Sequence, residues 1–128
     1  YEIKTINSGK TTVRISSLEQ LDGDIEGQLV VYDLEKMSPS FNGLKLNQLV
    51  QKILHKLGAN YREEFISKLS LYNYDFSPNY DNYVYSVVGC SMYTVKEGFP
   101  RLKRNDIPMA INKVQYDINL SDLDDYKL

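Results

Sequence analysis

The sequence predicts an α/β fold, of the α+β kind: a mixed, mostly antiparallel sheet of about five or six strands with two central helices packed on it. Three observations predict it. Apolar and polar residues alternate with period two near both ends of the chain. The middle carries two stretches of helical period, and the joints are short and rich in Gly, Asn, Asp and Pro. At 128 residues the chain is long enough for one domain with a real core and too short for two.

The first strand holds Glu2-Ile3-Lys4-Thr5, with Glu2 and Lys4 on one face and Tyr1, Ile3 and Thr5 on the other. A polar turn, Asn7-Ser8-Gly9-Lys10, leads into a second strand, Thr11 to Ile15, forming a hairpin. Ser17 is placed to cap a short helix over Leu18 to Leu21 from which Gln20 can project, and Asp22-Gly23-Asp24 and Gly27 end it. Gln28 to Glu35 is a strand, with Leu29, Val31 and Asp33 on one face and Val30, Tyr32 and Leu34 on the other.

The clearest helix is Leu46 to Leu57, where Leu46, Leu49, Val50, Ile53, Leu54 and Leu57 form a complete apolar stripe before Gly58. Asn60 with Glu63 resembles a capping box for a second helix, whose buried side is Phe65, Ile66, Leu69 and Tyr72. Tyr83 to Lys96 is a long strand, apolar on both faces, buried or bent at Gly89. Glu97-Gly98-Phe99-Pro100 and Asn105-Asp106-Ile107-Pro108 read as turns around the basic segment Arg101 to Arg104. Val114, Tyr116, Ile118 and Leu120 alternate with polar residues in a half-buried last strand, and the acidic end from Asp122 reads as a frayed tail.

Composition excludes several classes. Net charge is −2, so a nucleic-acid site must be a local patch. The single cysteine, Cys90, cannot form an internal disulfide; it suits a reducing, cytoplasmic setting and reads as a buried structural thiol. No apolar run approaches the roughly 20 residues of a membrane span. His55 is the only histidine, lies off its helix stripe and has no Cys or His partner, so zinc sites and Ser-His triads are unsupported. No glycine-rich phosphate loop occurs. The tyrosines from Tyr72 to Tyr85 could stack bases, but their usual role is to cover a sheet with wet hydroxyls.

The chemistry lies in Glu2 and Lys4. A carboxylate beside an ammonium on one strand face is what metal-assisted phosphodiester cleavage needs: hard oxygen ligands for a divalent cation, and a cation to orient water and offset phosphate charge. Lys10 and Arg14 flank this strand, and Arg101, Lys103 and Arg104 form the densest positive cluster, all candidates for contacts to DNA phosphates.

The strand Glu-Ile-Lys-Thr, its polar turn, the second strand and the helix start resemble the second half-motif of the PD-(D/E)XK nuclease superfamily. EIKT with VRISSLEQLD, and later EGFPRL and DIP, is similar to a bacterial family of that superfamily encoded near DNA methyltransferases and other restriction or defence components. The resemblance runs from Glu2 to about Leu120. It implies a restriction-endonuclease-like fold and a magnesium- or manganese-dependent deoxyribonuclease acting in restriction or defence, with DNA and other subunits of such systems as partners. It implies that Glu2 and the main-chain carbonyl of Ile3 ligate the metal, that Lys4 assists the water, and that Gln20 sits near the site. The superfamily also takes an aspartate from the strand before Glu-x-Lys. Because this chain starts at Tyr1, the expectation is that it is the C-terminal part of a longer parent, inactive alone. Residues 1–35 would then be the end of the nuclease core and 36–128 its C-terminal helices and strands. A catalytically inactive DNA-binding or assembly subunit, and a protein-interaction domain using the tyrosines, are the alternatives.

Overall fold

The structure is a computed structural model describing residues 1–128. Its elements mix α and β as the periodicities predict: β1 (Glu2–Asn7), β2 (Thr12–Ile15), β3 (Gly27–Met37), α1 (Leu46–Lys56), α2 (Ala59–Leu71), β4 (Val84–Val95) and β5 (Tyr116–Asn119). The five strands divide between two sheets, of order β1-β3-β4 and β2-β5, rather than forming one. β1 runs parallel to β3, with Glu2 opposite Leu29 and Lys4 opposite Val31. β2 and β5 are antiparallel, with Val13 opposite Ile118. Gly89 lies against Asp33 whereas Val95 shares a cavity with Gly27 and Gln28, so β4 runs opposite to β3.

The predicted hairpin of the first two strands does not form, because β1 and β2 belong to different sheets. Gly9, at φ +88°, and the bond from Lys10 N–H to the Asn7 carbonyl turn the chain as expected. Alternation shows that a segment is a strand but not which strand it pairs with. β1 pairs with the apolar β3, and β2 pairs with β5 to bury Val13 and Ile15.

The chain separates into two compact units, Tyr1–Leu34 with Val87–Leu128, and Glu35–Ser86. In the first, Val13, Ile15, Leu29, Val31, Tyr93, Phe99, Ile118 and Leu123 belong to a single buried cluster. The acidic end is not frayed. Leu123 is fully buried, Tyr126 packs edge-on against Phe99, and Leu128 N–H bonds to the Met92 carbonyl. Its charged residues masked an apolar spacing, Leu120, Leu123 and Tyr126, that anchors it. Cys90 is exposed rather than buried, together with Val88 and Met92 on the same face of β4, so that face is uncovered there instead of apolar contact covering both.

In the second unit α1 has the predicted span, but only Val50 of its stripe is fully buried; Leu46 and Leu49 are exposed. Arg62 donates to the Leu54 and Leu57 carbonyls at 3.0 and 3.1 Å, satisfying the Leu57 oxygen that the helix end leaves open and adding to the Leu57 N–H bond on Leu54. Gly58, not Asn60, is the N-cap of α2, and no side chain caps it; Ile66 and Tyr72 are exposed, not buried. The two-residue joint leaves no room for the helix to start later. α2 ends in a Schellman turn at Asn73, φ +62°, with Tyr74 N–H bonded to the Leu69 carbonyl. That turn sends Tyr74 inward, where it stacks on Tyr80 at 5.3 Å and donates to Asn47 Oδ1. Gly43 belongs beside Tyr85, because a Cβ there would sit 2.7 Å from the Tyr85 carbonyl oxygen.

Burial raises the Tyr74 phenol above its ordinary pKa, with Tyr80, Asp81 and Asp75 adding, so it stays protonated and donating. Tyr74→Phe is expected to lower unfolding free energy by about 1 kcal/mol, the net worth of one buried hydrogen bond, in denaturant titration. No helix is long and apolar enough to cross a membrane.

Candidate functional site

β1 alternates as its sequence suggests: Glu2, Lys4 and Ile6 are half-buried and Ile3, Thr5 and Asn7 exposed. The register with β3 sets Glu2 and Lys4 on the face that carries Leu29 and Val31 into the core. Their side chains keep 23% and 15% exposure respectively, so they are largely dry yet open to a ligand. Lys4 Nζ lies 3.4 Å from Glu2 Oε1 and donates to Gln20 Oε1 at 2.9 Å.

Gln20 reaches Lys4 because a 3₁₀ turn, Leu18–Gln20, is pinned at both ends by buried apolar residues, Leu18 and Leu21. Ser17 precedes the turn but its hydroxyl caps nothing, against expectation. Gln20 does that work instead, its Oε1 accepting the Ser16 N–H at 2.8 Å as well as the Lys4 ammonium. One amide oxygen therefore ties the turn to β1. Of the three ammonium donors, one serves Gln20 and one faces Glu2, which leaves a third for an incoming acceptor.

Glu2 and Gln20 open on a cavity of about 110 Å³ that Gln28 and Arg101 also line. Arg101 is braced there by the Leu21 and Gly23 carbonyls. Gln28 Oε1 is buried without a hydrogen-bond partner, and so is Asp33 Oδ1 further along β3. Neither is among the site residues expected from the sequence; a Gln and an Asp inside the otherwise apolar run QLVVYDL are the signal that marks them. A magnesium or manganese ion takes hard oxygen ligands through one or two carboxylates and keeps several waters. The Glu2 carboxylate with the orphaned Gln28 oxygen fits that chemistry, while no three His, Cys, Asp or Glu side chains gather anywhere in the chain.

The remaining predicted residues are dispersed. Lys10 and Arg14 line a separate cleft of about 310 Å³ with Thr5, Asn7 and Asp117. Arg14 is paired to Asp117 at 3.0 Å, and its guanidinium holds the Asp117 carboxyl below the ordinary range. Arg104 is spent on the Ile111 and Met109 carbonyls at 2.8 and 3.3 Å, and its own N–H bonds to Asp22. Lys103 N–H bonds to Asp106, with its side chain unpaired. The structure thus brings Glu2, Lys4, Gln20 and Arg101 to one region and leaves Lys10, Arg14, Lys103 and Arg104 outside it, while the Ile3 side chain stands on the exposed face of β1.

A family model described as "Putative PD-(D/E)XK family member, (DUF4420)" matches residues 1–121. No curated protein and no solved structure matches the chain.

Proposed function

This chain belongs to the DUF4420 family of PD-(D/E)XK proteins, and from that membership we propose that it contributes the Glu-x-Lys part of a metal-dependent site hydrolysing DNA phosphodiesters. The observation that carries the reading is one ammonium, Lys4, held at once against Glu2 and Gln20 beside a solvent-open cavity.

Glu2 and the Ile3 carbonyl would hold magnesium or manganese, with Gln28, whose Oε1 has no hydrogen-bond partner, lining the same cavity as Glu2. When bound, the metal supplies Lewis-acid polarisation of the phosphate and a more acidic water. The chain's own residues do the rest. Lys4 directs its free N–H toward the attacking water or a non-bridging phosphate oxygen and offsets the charge that grows as the new P–O bond forms and the old one breaks. Gln20 fixes the Lys4 rotamer, removing the entropy that a free lysine would lose on reaching this geometry. Arg101 adds positive charge to the same cavity. A second carboxylate would complete the metal's shell. Restriction or defence against foreign DNA is the setting in which we place the reaction.

The second reading is a DNA-binding or assembly subunit that keeps the scaffold without the chemistry. Titrating magnesium and manganese into the full-length protein with linear and supercoiled DNA separates the two. Cleavage that saturates with metal and disappears with a chelator is expected. DNA binding with no cleavage at any metal concentration would decide for the second reading.

A further inference from the structure

From Lys36 to Arg62 the chain carries Lys36, Lys45, Lys52, Lys56 and Arg62 and no Asp or Glu, although the net charge of the whole is −2. Two of these cations have partners: Lys36 lies over the Tyr83 ring, and Arg62 holds the α1 carbonyls. Lys45 at the N-cap and Lys52 and Lys56 of α1 have none. Lys52 and Lys56, at i and i+4, stand one above the other on the side away from the buried Val50, and Lys45 lines the same shallow cleft as Lys52. Beside them stand Gln48, Gln51 and His55, all exposed, and the Gln48 and Gln51 amides make no hydrogen bond within the chain. The His55 Nδ1 is bonded to the Gln51 carbonyl at 2.7 Å, which turns Nε2 outward. Asp81, at one edge of the shallow cleft here, is engaged by Asn47 at 3.2 Å.

Helix stability accounts for His55 and Lys56, which stand in the last turn at the negative end of the dipole, but not for Lys45 and Lys52. Lys45 occupies the N-cap, caps nothing, and faces the positive end of the helix dipole, and the first turn holds no acid. An ordinary solvated helix mixes signs, as α2 does with Glu64 and Lys68 at 2.8 Å. α1 has cations and amides alone.

We infer that this face of α1 is a grip for double-stranded DNA. The lysines neutralise backbone phosphates, and Gln48, Gln51 and His55 face the groove. The eleven-residue helix is about 16 Å long and of a width that the major groove admits. The inference rests on the reading that DNA is the ligand, and it assigns contacts to a part of the chain that carries none of the Glu2, Lys4 or Gln20 chemistry.

The test is binding of a labelled DNA duplex to the full-length protein in chelator, so that no cleavage occurs, across a range of salt. Lys45→Gln, Lys52→Gln and Lys56→Gln together keep good helix formers at the exposed positions 52 and 56 and a polar side chain at the half-buried N-cap, and circular dichroism verifies the fold. The triple variant is expected to lose at least about tenfold in affinity and to flatten the slope of log K against log salt by about two to three, close to one per phosphate contact removed. An unchanged slope and affinity would overturn the inference, as would wild-type protein that binds anionic lipid vesicles and no duplex. If wild type never cleaves DNA while the triple variant loses binding, the nuclease reading fails and the α1 grip stands. If cleavage is metal-dependent and the triple variant binds like wild type, the reverse holds.

Discussion

Lys4→Ala in the full-length protein is expected to slow metal-dependent DNA cleavage at least about a hundredfold while leaving duplex affinity nearly unchanged, because the ammonium acts on charge that develops only in the transition state. The geometry supports a catalytic rather than a structural effect. Gln20 still accepts from Ser16 N–H at 2.8 Å when Lys4 is gone, so the 3₁₀ turn keeps its tie. Glu2 keeps a quarter of its side chain in solvent and need not be stranded without its partner. Lys4→Arg is a stricter probe: it retains the charge but replaces a compact, rotatable ammonium with a longer planar fork that cannot occupy the same point between Glu2 and Gln20. Both variants should show an unaltered dissociation constant in chelator and a lowered single-turnover rate with metal. Glu2→Ala should lose the rate and its saturation with magnesium together. A Lys4→Ala protein that cleaves at the wild-type rate would remove Lys4 from the mechanism.

The second large effect lies beneath the site. Leu29→Ala is expected to cost about 3 kcal/mol of unfolding free energy, within the range of about 2 to 5 for buried leucines whose cavity cannot collapse. Leu29 is fully buried, is the β3 residue opposite Glu2, and belongs to the same cluster as Val31, Tyr93 and Leu123. For a chain of this size the melting temperature should fall by roughly 10 °C. Ile3→Ala, one residue from Glu2 on the exposed face with 62% of its surface in solvent, should stay within about 0.5 kcal/mol of wild type. Equal losses for the two would mean that the exposed face of β1 is covered.

What could be read from the sequence follows from what local periodicity encodes. The alternation at Glu2 and Lys4 gave their common face, and the stripe from Leu46 gave α1 to within one residue of its end. Pairing is a long-range property, and there the reading failed: a polar turn at Asn7 to Lys10 suggested a hairpin, while β2 finds its partner over a hundred residues away at Asp117. Burial was misread where a residue's chemistry disagreed with its neighbours. Cys90 and Tyr72 were assigned inward for their apolar bodies and are exposed, while the acidic end was assigned outward for its charges and buries Leu123. That Gln20 lies near the site is implied only by the resemblance, and its bond to Lys4 is new, since no spacing rule links a strand residue to one sixteen positions later in a turn. For Gln28 the one mark in the sequence is a glutamine heading an apolar run; that its oxygen lacks a hydrogen bond is a property of the packing.

The divided chain of the first unit bears on the order in which a ribosome delivers its parts. The second unit, Glu35–Ser86, is one continuous stretch and can close on contacts between residues already synthesised. The first unit cannot. β1 and β3 emerge early and can pair, but β2 must wait with Val13 and Ile15 uncovered until β5 is made. Closing a loop of that length costs only slightly more entropy than closing a short one, so the delay is one of time rather than of final stability. Through that interval the nascent protein presents an unpaired strand beside the Glu2–Lys4 cluster, which makes β2 the segment most exposed to mispairing or chaperone capture during synthesis.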